Sequence, residues 1–175
     1  SEPDSAASAA AKPERTGARR VVVVRVQPGQ PTRVSQWQVQ TDGELARLAA
    51  AGDAEARGLQ QRLAVLGQQQ AGQVFRNADW AAAKQQLLAR LRSAGYAAAT
   101  VQTSAADIDA SERTASLRVT LDSGPLYRSG PVLVRGLVHH DESMVQELAG
   151  FGAGTPLTEE HLVAFQDRLQ KTRLF

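Results

Sequence analysis

The stretch "LDSGPLYRSGPVLVRG", Leu121 to Gly136, reads as a strand that ends at a Gly-Pro break, followed by a second strand. Almost the same joint occurs earlier as "VQPGQPTRVSQWQVQ", Val26 to Gln40. Each copy carries an alternating segment, a Gly, a nearby Pro, an Arg and another alternating segment. From Arg33 to Arg128 is 95 positions. A joint written twice at that spacing is the mark of an internal repeat, with one structural unit meeting the next at each copy.

Between the two joints the pattern spells one whole unit. Val34 to Thr41 alternates, placing Ser35, Trp37, Val39 and Thr41 on one face and Gln36, Gln38 and Gln40 on the other. This predicts a half-buried strand with a wet Gln face. Asp53 is suited to cap a helix whose stripe is Ala56, Leu59, Leu63 and Leu66, with Gly67 ending it and "GQQQAGQ" forming a loop. Asn77 is read as the cap of a second helix with core face Trp80, Ala83, Leu87, Leu91 and Ala94, closed by Gly95; Lys84, Gln85 and Arg92 fall on its outer face. Thr100 to Ile108 is a more polar strand, "DASER" a turn, and "ASLRVTL" a strand with Leu117, Val119 and Leu121 inward. The pattern therefore reads as α+β, in tandem β-α-α-β-β units with both helices between the first strand and the closing hairpin.

The flanks read as pieces of similar units. Residues 1–19, rich in Ser, Ala, Pro and charge, read as a flexible loop or linker of an excised or processed piece. Residues 20–29, holding Val21 to Val26, match the last strand of a preceding unit, and residues 30–124 form the complete one. Residues 125–175 match the first half of the next: a strand at Pro131 to Val134, a short helix capped by Asp141 with Met144, Val145 and Leu148, and a helix capped by Thr158. Leu162, Phe165 and Leu169 are its core face, and Leu162 to Leu169 repeats the step from Trp80 to Leu87. Without the unit's closing hairpin, that face and Val132 and Val134 are expected to need a cover.

Composition narrows the function classes. Of 175 residues 42% are hydrophobic but only 5% aromatic, which suits small domains with Ala-lined helices. The formal charge is +2, and the arginines are scattered singly, giving no basic stripe for nucleic acid. The absence of cysteine removes disulfide frameworks, thiol catalysis and Cys-based zinc sites. "HHDE", His139 to Glu142, offers adjacent rings that cannot easily aim at one ion, so it reads as a solvated helix start. Asp107, Asp109 and Glu112 sit on a hairpin turn, where carboxylates serve turn chemistry. "GFGAGTP" lacks the Lys-Ser/Thr of a phosphate loop. No nucleophile, general base or metal set emerges, so no catalytic, metal or cofactor-binding residue is assigned and no cofactor is expected. A small metal-dependent hydrolase, the rival from another class, would need a convergent polar cleft that the sequence does not spell.

The stretch "SAADIDASERTASLRVTLDSGPLYRSGPVLVRGL", with "GFGAGTPLTEEHLVAFQDRLQKTRLF" after it, resembles the polypeptide-transport-associated (POTRA) domains of the outer-membrane assembly superfamily. Within it, the similarity is to the periplasmic region of the translocation and assembly module (TamA) branch. It covers roughly Arg20 to Phe175 and is strongest from Asn77 onward; "GELARLAAAGDAEARGL" has no distinctive residues. The resemblance implies a small three-stranded mixed sheet covered by two helices, in a non-enzymatic module at the periplasmic face of the bacterial outer membrane, attached to a β-barrel in the full-length protein. Its partners would be unfolded outer-membrane or autotransporter β-proteins and a periplasmic or inner-membrane subunit. A two-partner secretion transporter or the general barrel-assembly protein are the alternatives within the superfamily.

One surface has functional reach. The strand around Val101 is poor in large apolar residues and, by the resemblance, lies on the sheet edge. Thr100, Val101, Gln102, Thr103, Ser104 and Ala105 are therefore the candidate partner-binding residues, through addition of a strand from another chain (β-augmentation).

Overall fold

A computed structural model describes residues 29–131, 147 and 149–172. The strand at Val21 to Val26, the strand residues Val132 to Val134, the "HHDE" stretch and, of the helix assigned to Asp141, the residues Met144, Val145 and Leu148 lie outside the described residues. The described chain runs β1 (Arg33–Asp42), α1 (Glu44–Ala50), α2 (Ala54–Gln68), α3 (Asn77–Ser93), β2 (Thr100–Asp109), β3 (Thr114–Asp122) and α4 (Glu159–Thr172). The sheet has order β1-β3-β2, with β1 parallel and β2 antiparallel to β3. The expected α+β unit with its mixed three-stranded sheet is what forms.

The core fills the space between the sheet and its helices. Ala115, Leu117, Val119 and Leu121 alternate inward from β3 and are almost wholly buried. They meet Trp37 from β1, Leu59 and Leu63 from α2, and Trp80, Leu87, Leu88 and Leu91 from α3. Trp37 and Trp80 pack edge to face, with ring centroids 4.9 Å apart.

Four local expectations are corrected. A helix the sequence reading left out, α1, follows β1 directly. Its cap comes from distant sequence, because Gly43 offers no side chain and Ser123 Oγ accepts the Leu45 N–H at 3.0 Å. Gly43 itself has φ +79, and a Cβ there would lie 2.4 Å from Asp122 Oδ1. Ser35 does not share the Trp37 face: the register shifts between Val34 and Gln36, so this bulge turns Val34 inward and leaves Ser35 exposed. Gly67 does not end α2 but lies buried inside it, where the missing side chain lets the helix approach Trp37. Asn77 is the first helical residue rather than the cap, a position taken by Arg76 without a side-chain bond. Asp53 does cap α2, accepting from Ala56 N at 2.8 Å.

The two joints have the same geometry. At the first, Gly72 N–H donates to Val34 O, Val34 N–H to Gln73 O and Phe75 N–H to Thr32 O. At the second, Gly154 N–H donates to Ser129 O, Ser129 N–H to Thr155 O and Leu157 N–H to Tyr127 O. Each set lies just ahead of a long helix, α3 or α4. Thr158 caps α4 as expected, accepting from His161 N at 3.2 Å. Of the face assigned to that helix, Leu162 is 45% exposed while Phe165 and Leu169 are half-buried.

Candidate functional site

Sheet order makes β1 and β2 the outer strands. The start of β1 is covered by the Gly72–Phe75 loop, which bonds Thr32 and Val34 and bridges Arg33 to Val74. β2 is the longer open edge, ten residues whose burial pattern is exposed at eight positions. Of the six candidate residues, Thr100, Gln102, Thr103, Ser104 and Ala105 are exposed and Val101 is half-buried against the core. The register shifts between Val101 and Thr103, which leaves Gln102 as an extra residue in the ladder. The side chains are short, so little stands between an approaching backbone and the strand.

Pairing with β3 fixes which way each side chain of β2 faces. Val101, Ser104, Ala106 and Ile108 lie opposite Leu121, Val119, Leu117 and Ala115 and so share the helix side of the sheet. Thr103, Ala105 and Asp107 lie opposite Thr120, Arg118 and Ser116 and share the outer side. There Asp107 pairs with Arg118, and Gln38, Gln40, Thr103, Ala105 and Thr120 line a shallow hollow of about 280 Å³. On the helix side, Lys84 of α3 reaches over β2: its Nζ lies 3.4 Å from Ser104 Oγ and 4.9 Å from the Trp80 ring centroid. Sequence reasoning put Lys84 on the outer face of α3 without linking it to the edge. Its spacing of four residues from Trp80, which makes the two neighbours on one helix, was the available signal.

The remaining polar groups have local work. Asp109 accepts from Ser111 Oγ and N and from Glu112 N, closing the β2–β3 turn. The Ser111 hydroxyl and the Glu112 amide hold its carboxyl below the usual carboxylate range. A larger cleft of about 1050 Å³ lies between α2, the end of α3 and the segment leading into α4. Its charged lining is of both signs, including Asp53, Glu55, Glu159, Arg62, Arg90 and Arg128. Tyr96 borders it and is 3% exposed. Burial first, then the Glu44 and Asp53 carboxylates, push its phenol pKa up, while Arg128 opposes them. His161 Nδ1 is engaged with Pro156 O at 2.9 Å. Among the described residues no three His, Asp or Glu side chains gather as metal ligands, and no helix is long and apolar enough to cross a membrane.

With this geometry in hand, the chain is compared with known proteins. Residues 56–124 match the POTRA family model, "Surface antigen variable number repeat", which takes in α2, α3 and the β2–β3 hairpin. Solved structures match the fold as well, two of them BamA fragments. One is Haemophilus influenzae BamA POTRA3-5, at TM-score 0.51 and 19% identity, over 82% of this chain and 52% of that one. The other is Haemophilus ducreyi BamA lacking POTRA domains 1-3, at TM-score 0.53 and 20% identity, over 80% of this chain and 24% of that one. The chain thus spans about half of the first and about a quarter of the second. No curated protein matches it in sequence. The fold is that of BamA POTRA domains; the specific TamA likeness is not among these matches.

Proposed function

We propose that this chain is a non-enzymatic protein-interaction module of an outer-membrane protein assembly or secretion machine, working in the periplasm. Residues 30–124 act as the complete POTRA unit, and residues 125–175 begin the next. In the full-length protein the array stands before an outer-membrane β-barrel. It engages unfolded outer-membrane or autotransporter β-proteins by strand addition at Thr100–Ala105, and a periplasmic or inner-membrane subunit on another face. A TamA-like machine is the reading the sequence resemblance supports. The general barrel-assembly protein is the alternative that the BamA fold matches support, and a two-partner secretion transporter is a third. No cofactor and no nucleic acid take part.

The observation that carries this reading is the open edge of β2: ten residues, mostly exposed, with no large apolar side chain other than the half-buried Val101 from Thr100 to Ala105. Strand addition draws its affinity from main-chain hydrogen bonds, so one edge serves clients of many sequences. The test is titration of the isotopically labelled chain with an extended peptide from a β-barrel strand. Amide shifts concentrated on residues 100–109 are expected. Shifts confined to the cleft residues 53–62 and 155–163 would assign docking to that cleft and refute the edge.

A further inference from the structure

Lys84 is a cation that reaches the middle of the open edge from the helix side. Its Nζ sits 3.4 Å from Ser104 Oγ, at the outer limit of a hydrogen bond, and no carboxylate pairs with it among the described residues. The Trp80 ring beneath it, 4.9 Å from Nζ, holds the ammonium in place. Trp80 is in turn fixed by Trp37. The charge is therefore positioned by the core, although it is only half-buried.

A strand added to β2 would lie about 4.8 Å beyond it, with alternate side chains on the helix side. One of these would stand opposite Ser104, its Cβ about 5 Å from that of Ser104. That side chain enters the space around the Lys84 ammonium. Its helix-side neighbours, two residues away, face Ala106 on one flank and the Val101 bulge on the other, and both of those residues are half-buried apolar groups packed on the core. Ile108, 56% exposed, extends the apolar side. The outer face of the added strand would instead meet Thr103, Ala105 and the Asp107–Arg118 pair.

We infer that Lys84 is a specificity-determining residue of the docking edge, selecting extended peptides of alternating apolar and polar residues that carry a carboxylate side chain in register with Ser104. The inference rests on the strand-addition reading above. Where main-chain bonding alone accepts any register, the single charge favours one: a slip by one residue would carry the carboxylate away from Lys84 to the outer face, where the nearby cation, Arg118, is already paired with Asp107. A half-buried ion pair of this kind changes affinity modestly, by about two- to fivefold at low ionic strength.

The experiment uses the full chain and three soluble ten-residue peptides of alternating Val and Thr, with Glu, Gln or Lys at one central position of the Val face. Amide-shift titrations give the site and the Kd. The expected order of affinity is Glu over Gln over Lys, with the Glu–Gln gap about two- to fivefold and narrowing as salt rises. Lys84→Met, which keeps the cover over Trp80, should erase the gap, and Lys84→Glu should reverse it. Equal affinities of all three peptides, with shifts still on β2, would overturn the role of Lys84 and leave strand addition standing. Absence of shifts on β2 for every peptide would overturn strand addition itself, and this inference with it.

Discussion

Arg33 and Arg128 make the same contact, 95 positions apart in the chain. Arg33 Nη1 donates to Gly72 O at 2.9 Å and Arg128 Nη1 to Gly154 O at 3.0 Å. Both glycines are left-handed, at φ +80 and +86. Each arginine also bridges, antiparallel, the residue two past its glycine, Val74 or Pro156. The Gly does the turning that an L side chain resists, and the Arg ties the turn to the incoming strand.

That recurrence predicts matched protection from hydrogen exchange. The amides of Val34, Gly72 and Phe75 donate across the first joint, and those of Ser129, Gly154 and Leu157 across the second. Both sets should exchange more slowly than the exposed β2–β3 turn amide of Ala110. Protection in the first set with turn-like exchange in the second would show that the second joint does not hold in solution.

At Gly67 two effects oppose each other. By helix propensity alone, Gly67→Ala would stabilise α2 by about 1 kcal/mol. The new Cβ, however, would lie 2.6 Å from Trp37 Cδ1 and 3.0 Å from Val39 Cγ2, inside a packed core. Overpacking of this sort costs about 1–3 kcal/mol. The net change should be a loss, measured as a lower urea midpoint with an unchanged slope. A raised midpoint would mean that Trp37 can move aside.

Ser123 joins the end of β3 to the start of α1. Its buried hydroxyl accepts from Leu45 N and donates to Gly124 O at 2.9 Å, while Ser123 N–H donates to Asp42 O. Ser123→Ala should cost about 0.5–2 kcal/mol, as loss of a helix cap does, and Ser123→Thr should recover part of it. Urea unfolding of the three proteins checks the order.

Tyr96 gives a pH dependence at the alkaline end. Its folded pKa is raised above the ordinary 10.0 by burial and by Glu44 and Asp53. The unfolded chain therefore releases the phenol proton first. The contribution of this group is complete below about pH 10 and is lost as pH rises through the higher folded value. Wild type should lose more stability than Tyr96→Phe as pH rises above about 10. Parallel stability curves for the two proteins would contradict the assignment.

Much of this architecture was legible because it is periodic. Leu117, Val119 and Leu121 alternate, and Trp80, Ala83, Leu87 and Leu91 recur at helical spacing, so both layers and the polar strand beside them could be read from residue order alone. The open position of β2 in the sheet follows the poverty of large apolar residues that marked Thr100–Ala105. What was not legible depends on contacts between distant residues. The cap of α1 is Ser123, far along the chain, so "GELARLAAAG" carries no start signal of its own. Gly67 reads as a helix stop unless Trp37 is known to lie against it. The Ser35 bulge is fixed by pairing with Ala115 and Ser116, and the link from Lys84 to Ser104 exists only once α3 lies over β2.

The central claim is that the backbone of β2 is the surface that binds. Proline at Val101 or Thr103 removes one N–H donor, and Ala at the same positions keeps it. An edge strand tolerates proline where its N–H faces away from the sheet. The most direct measurement is therefore the Kd of a β-barrel-strand peptide for wild type, Val101→Pro, Thr103→Pro, Val101→Ala and Thr103→Ala, with amide dispersion reporting the fold of each. The account predicts that at least one proline variant keeps its fold and loses binding while both alanine variants bind as wild type does. Two folded proline variants with wild-type affinity would contradict it.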